Sequence, residues 1–147
     1  MVVSNSTSGE TNGLAEASRL CIWLVDDHDG FRQPMAQLLN LEPGVECARH
    51  FSSAAAALLA LREQSPDAIL LDVEMPKMNG VEAIQPIKKL APTTAVLMLT
   101  TFSDEATREK SLANGAADFL LKHFSTNEIV AAVRAAKQTS VAEARTS

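Results

Sequence analysis

Between residues 20 and 137, short apolar runs alternate with longer stretches whose apolar positions recur at helical spacing. The runs LCIWLV, VECARHF, AILL, AVLML and DFLL are too short for helices and too continuous for strands with one wet face. Strands buried on both faces of a parallel sheet read this way. Between the runs the spacing predicts helices over 30–41, 53–63, 80–90, 104–114 and 126–137. Their ends carry chemical signals. Ser125 with Glu128 forms a capping box, Ser103 or Asp104 can cap the fourth helix, and Gly115 stands where a left-handed residue closes it. Pro34 and Pro86 oppose the pattern, since a proline inside a helix costs about 3 kcal/mol unless the helix starts late or kinks. A kink is expected near Pro86.

Strand and helix alternate five times, which implies right-handed crossovers and an α/β, three-layer, doubly wound fold with a five-stranded parallel sheet. Residues 1–18, rich in Ser, Thr, Asn and Gly without apolar periodicity, are expected to form a disordered leader. Residues 19–137 form the domain, and 138–147 a tail or linker stub. The ten or so residues after 137 are too few for a DNA-binding helix-turn-helix module, so the expectation is a single-domain protein or one half of a longer one.

In doubly wound sheets ligands bind at the carboxyl ends of the strands, near the point where strand order reverses. Asp26 and Asp27 end the first strand in WLVDDHD, and Asp72 ends the third in ILLDVEMPKMNG. Thr100 ends the fourth in LMLTT and Lys122 the fifth in FLLK. Three carboxylates and one ammonium leave a formal −2 in a partly desolvated cleft, which calls for a counter-ion. All-oxygen ligation suits a hard divalent ion, Mg2+ before Zn2+. A free oxygen on Asp72 can act as a nucleophile toward phosphorus. Lys122 and the Thr100 hydroxyl can then neutralise the phosphoryl oxygens.

Composition narrows the field. The net charge of −5 gives no electrostatic footprint for nucleic acid or an anionic membrane. No apolar run approaches the roughly 18 residues that span a bilayer, and the N-terminus lacks a signal peptide pattern, so a cytoplasmic address is expected. Cys21 and Cys47 lack zinc or disulfide spacing and read as small hydrophobes. His28 beside the acidic pair reads as a solvated loop residue rather than a metal ligand, and neither His50 nor His123 has ligand spacing. Trp23 reads as core, without aromatic neighbours that would suggest a cofactor box.

LVDDHD, LLDVEMPKMNG, LMLTT and GAADFLLK, in that order at strand ends, resemble the receiver domain of a two-component response regulator. LTTFSDE and GAADFLLK are similar to its helix-turn-helix transcription-factor branch. The resemblance implies a flavodoxin-like strand order 2-1-3-4-5 and a phosphoacceptor signalling domain rather than an enzyme. By it, Asp72 accepts a phosphoryl group from a sensor histidine kinase or phosphotransfer protein. Asp27 and Asp72 ligate Mg2+ directly, Asp26 through water, and the Glu74 backbone carbonyl completes the protein ligands. Thr100 and Lys122 contact the phosphoryl oxygens, and Thr100 with Phe119 forms the switch. Phe119 alternates along an apolar strand, so a plain core role weighs about equally.

The face formed by residues 103–137 would take a partner or a second copy, and this chain alone would bind neither nucleic acid nor membrane. One departure stands out: His123 follows Lys122 where most receivers have a cis proline. A trans bond is expected, because a non-proline cis bond costs about 2.5 to 4 kcal/mol. The alternative reading is a small phosphatase with an aspartate nucleophile. Hydrolases of the haloacid dehalogenase type need a second aspartate two residues on, where this chain has Glu74. Flavin binding fits the fold but not DDHDG after the first strand, which would repel an anion.

Overall fold

The computed structural model describes residues 19–102 and 104–146, with side chains through Thr139. The expected leader and a Ser103 cap lie outside the described residues. Five parallel strands, β1 (Leu20–Val25), β2 (Val45–Phe51), β3 (Ala68–Asp72), β4 (Ala95–Thr100) and β5 (Asp118–Leu121), run in the order 2-1-3-4-5. They alternate with α1 (Asp29–Leu41), α2 (Ala54–Ala60), α3 (Gly80–Leu90), α4 (Glu105–Ala113) and α5 (Thr126–Thr146). The doubly wound α/β fold is the one expected. The strand order reverses at β1, whose neighbours are β2 on one side and β3 on the other.

Residue alternation along the central strands feeds two cores. Ile22, Leu24, Leu70, Leu97 and Leu99 pack with Met35 and Leu39 of α1 and Ile129 and Val133 of α5. Trp23, Val25, Ile69, Leu71, Val96 and Met98 pack with Ala57 of α2 and Ile84 and Ile87 of α3. A strand with a core on each face has no wet side, which is why β1, β3 and β4 read as continuous apolar runs.

The edges differ from that expectation. In β2 only Val45 and Cys47 are buried, because no strand lies beyond it, and Glu46, Ala48, Arg49 and His50 face solvent. The register slips between Ile22 and Trp23, a bulge that brings Arg49 opposite Trp23. Trp23 is core, as expected, but it has an aromatic partner: Phe51 meets it edge-on at 5.2 Å, with the Arg49 guanidinium over both rings. Cys21 and Cys47 are free thiols. Burial, with smaller contributions from the Cys21 and Glu46 charges, pushes the Cys47 thiol up to about 12, an unreactive value.

Both prolines sit inside helices that continue through them. The carbonyls they deprive of a partner, four residues earlier, belong to exposed Gly30 and Glu82, where solvent can serve them. The second helix is shorter than its pattern, closing at Ala60 with a turn over Arg62 and Glu63. The fifth is longer, its backbone running on through the expected tail to Thr146.

Ser125 and Glu128 form the expected capping box. At Gly115 (φ 113°) the Gly115 and Ala116 amides donate to Leu112 and Ser111, the paired bonds of a Schellman closure. Asp104 stands at the N-cap of α4, but its carboxylate accepts from the Thr107 hydroxyl at 2.6 Å instead of capping a backbone amide.

Gly80 begins α3 against the strand that carries Asp72. A Cβ there would strike the Asp72 carbonyl and the Met98 terminal methyl. Backbone cannot yield as a flexible side chain does. Gly80→Ala is therefore expected to lower stability by about 2 kcal/mol or more in urea denaturation, with an unchanged slope.

Candidate functional site

The strand ends converge as the sequence predicts. Asp26 and Asp27 follow β1, Asp72 closes β3, Thr100 closes β4 and Lys122 follows β5, all at the carboxyl edge beside the point of reversal. Lys122 Nζ lies 2.8 Å from Asp26 Oδ2 and 3.2 Å from Asp72 Oδ1. Both carboxylates are almost fully buried, at 0% and 1% exposure. The second oxygen of Asp72, Oδ2, is buried and has no hydrogen bond, Oδ1 being the oxygen 3.2 Å from the lysine. Asp27 Oδ1 likewise lacks a hydrogen bond.

Burial, then the Asp26 charge, raises the Asp72 carboxyl to about 6, against the opposing pull of Lys122. Lys122 itself loses solvation, which lowers its pKa, but the hydrogen bonds and charges of Asp26 and Asp72 prevail and hold it above the usual lysine value.

A buried unpaired carboxylate oxygen is costly in a folded protein and persists where something else is meant to meet it. Ligand atoms of Asp26, Asp27, His28 and Asp72 lie within 4.8 Å of one another, close enough for one cation to reach them. Three acidic groups against one lysine supply the charge that a divalent ion neutralises. Glu74, exposed at the mouth, donates its backbone N–H to Asp72 Oδ1 at 3.4 Å.

The hydroxyl side is held more loosely. Thr100 Oγ1 accepts a long bond of 3.3 Å from the Phe102 amide, and the Thr100 carbonyl accepts from the Lys122 amide at 2.8 Å. Thr100 and Phe119 line one cavity of about 180 Å3 together with Val73, Glu74, Phe102 and Thr107. Phe119 pairs with Met98 across the sheet and is half-buried against the second core. The Lys122–His123 bond is trans, as expected.

Two residues near the acidic pair were not read this way from sequence. Arg32, 7% exposed on the inner face of α1, donates from Nη1 to the Asp26 carbonyl (2.7 Å) and from Nε to His50 Nδ1 (3.1 Å). Its Nη2 pairs with Asp29 at 2.6 Å. A charged residue in the buried stripe Arg32, Met35, Ala36, Leu39 was the available signal. His28 is exposed as read, yet its Nδ1 lies 3.2 Å from Asp27 Oδ1 and 3.4 Å from Asp26 Oδ1.

Residues 22–134 match the family of response regulator receiver domains. The chain belongs to that family. Among similar proteins, the transcriptional regulatory protein DegU of Brevibacillus brevis is 32% identical over 127 residues, covering 86% of this chain and 54% of DegU. LnrK of Bacillus subtilis, also a transcriptional regulatory protein, is 38% identical over 112 residues, covering 76% of this chain and 51% of LnrK. The chain thus spans about half the length of the curated relatives it matches. Among solved structures, the signal receiver domain of the putative response regulator NarL from Mycobacterium tuberculosis superposes with a TM-score of 0.76 at 31% identity. That match covers 82% of this chain and 98% of that one. A LuxR-family DNA-binding response regulator from Staphylococcus aureus gives 0.74 at 28% identity, over 80% and 98%. The kinship with the transcription-factor branch is as expected, and the strand order is that of the receiver fold. Among the described residues of this receiver domain, no helix is long and apolar enough to cross a membrane.

The raised Asp72 pKa fixes the sign of a pH effect. Its folded value, about 6, exceeds the ordinary carboxylate value of 3.8, so the stability its proton confers is complete below pH 3.8 and lost as pH rises through 6. At pH 7.5 without metal, Asp72→Asn is expected to raise stability by about 1 kcal/mol, an advantage that shrinks on acidification toward pH 4. Paired chemical denaturation curves at the two pH values measure it.

Proposed function

We propose that this receiver domain takes a phosphoryl group onto Asp72 from the phosphohistidine of a sensor histidine kinase or phosphotransfer protein, with Mg2+, and holds it as a conformational signal. The observation that carries the reading is Asp72 Oδ2: buried, unpartnered and on the same carboxylate that Lys122 neutralises from the other side. The whole protein's activity and partners are proposed as those of a response regulator working in the cytoplasm.

With a pKa of about 6, Asp72 is mostly ionised at neutral pH. Oδ2 attacks phosphorus, the phosphorus–nitrogen bond to the donor imidazole breaks, and an acyl phosphate forms on Asp72. Asp27 and Asp72 would hold the cation directly, Asp26 through water, and the Glu74 carbonyl would complete the set. When bound, Mg2+ supplies charge neutralisation for the equatorial phosphoryl oxygens. Lys122, which pairs with both Asp26 and Asp72, gives up its contact with Asp72 Oδ1 and meets the phosphoryl group instead. Thr100 gives up the 3.3 Å bond from Phe102 and donates its hydroxyl to a phosphoryl oxygen, a stronger charge-assisted bond. Phe119 turns into the space so vacated. The face of α4, β5 and the start of α5 then changes shape for a partner or second copy.

Glu74, which stands where those hydrolases carry their second aspartate, is exposed, and its hydrogen bond to Asp72 Oδ1 comes from the backbone N–H, which favours the phosphoacceptor reading over the phosphatase. Incubation with acetyl phosphate and Mg2+ is expected to add one phosphoryl group per chain, read by intact mass, and Asp72→Asn to add none. Sustained release of phosphate from a phosphomonoester would instead select the phosphatase. Thr100→Ala is expected to keep the labelling but to lose the amide shifts on α4, β5 and α5 that phosphorylation produces, as read by NMR. Unaltered shifts in that variant would end the route through Thr100 and Phe119. With its net charge of −5, this segment is expected to show no salt-dependent affinity for duplex DNA.

A further inference from the structure

His28 stands at the edge of the acidic cluster with its backbone fixed on both sides. Its N–H donates to Asp26 Oδ1 at 2.8 Å, and its carbonyl accepts from the Phe31 and Arg32 amides that open α1. The residue occupies the N-cap position of that helix without a side-chain cap bond, so the imidazole is not spent on the helix. Instead Nδ1 lies 3.2 and 3.4 Å from oxygens of Asp27 and Asp26, while the side chain keeps 66% exposure. The same cluster contains the buried, unpartnered Asp72 Oδ2. One nitrogen and three carboxylates thus fall within 4.8 Å of one another.

We propose that His28 Nδ1 is a fourth side-chain ligand of the cation site, which makes this receiver domain favour Mn2+ or Co2+ over Mg2+. The proposal rests on the cation site described under the proposed function and deepens it.

The charge count favours an imidazole over any further carboxylate. Three carboxylates and Lys122 sum to −2, which one divalent ion cancels. A fourth acidic ligand would overshoot, whereas neutral imidazole adds a donor without charge. Nitrogen changes the selectivity, because Mg2+ is a hard ion that prefers oxygen and water, while Mn2+ and, more strongly, Co2+ accept imidazole. Nδ1 faces the oxygens, and exposure leaves the rest of the ring to carry its proton toward solvent.

Calorimetric titration of the metal-free chain with Mg2+, Mn2+ and Co2+ tests this in wild type, His28→Ala and His28→Gln. The expected result is an excess affinity of wild type for Mn2+ and Co2+ over Mg2+ of at least about tenfold. Both variants should lose most of that excess while their Mg2+ affinity changes less than about twofold. Electron spin-echo measurements on bound Mn2+ should detect a directly coupled imidazole nitrogen in wild type and none in His28→Ala. Retained Mg2+ binding in both variants shows that they are folded.

Absence of the nitrogen coupling in wild type, or equal losses for all three ions in the variants, would overturn the ligand assignment. Mg2+ binding that persists in that case leaves the phosphoacceptor reading standing. A wild-type chain that binds none of the three ions would overturn both.

Discussion

The carboxyl edge of this sheet depends on one ammonium group. Asp26 and Asp72 end neighbouring strands, and both are almost fully buried, so their charges would repel each other strongly without a cation between them. Lys122 supplies it from β5, beyond the intervening β4. The reach requires a long side chain, and the target requires a compact charge that can meet two separate oxygens, which suits lysine better than the planar fork of arginine. Its ammonium also lies 4.8 Å from the Phe31 ring centroid, an apolar wall that reduces competition from water. One cation for three acidic groups is still a deficit. The remainder shows as the raised Asp72 pKa and the Asp72 Oδ2 atom left without a hydrogen bond.

A deficit of that kind persists only on a scaffold stable enough to carry it. Here the scaffold is the central trio β1, β3 and β4, whose alternating residues fill two separate cores and leave no wet face. Arg32 transmits the same rigidity to the acidic loop. It ties the Asp26 carbonyl, Asp29 and His50 together, and so fixes the backbone from which Asp26 and Asp27 project. Buried arginine is itself costly unless fully paired, and each of its three contacts is with a different residue of the strand ends or the helix start.

How far the sequence alone carries the reading follows from where each signal is stored. The order and type of all five strand–helix pairs were legible because burial on two faces leaves unbroken apolar runs in the central strands. The edge strand β2 was misjudged on the same logic. VECARHF contains enough apolar letters to pass as a buried run, but its burial depends on whether another strand lies beyond it, which no local pattern states. The five polar residues brought together at the site were legible because each directly ends or follows a strand. Arg32 and His28 were not, since their roles come from the angle at which α1 leaves the loop. The partnership of Trp23 with Phe51 and Arg49 arises from a bulge in the β1–β2 register, which spacing cannot predict. Pro86, where a kink is expected, lies inside a helix that continues through it, and the carbonyl it deprives of a partner belongs to an exposed residue.

The site is unevenly stiff, and that unevenness bears on where a signal can leave it. On the β1 side, Asp26 is engaged by Lys122, Arg32 and the His28 amide at 2.7 to 2.8 Å, so moving it would break several short bonds that each involve a charged group. On the β4 side, the Thr100 hydroxyl has one long bond from an amide, beside a cavity of about 180 Å3 and a half-buried Phe119. Interactions with charged groups are worth roughly 1.5 to 3 kcal/mol each, against about 1 kcal/mol or less for a long neutral bond. Any new charge appearing on Asp72 therefore meets a rigid wall at β1 and a yielding one at β4. Under the proposed phosphoacceptor reading, the direction of the response is set before any partner binds, because the hydroxyl at Thr100 is the polar group with least to lose by moving.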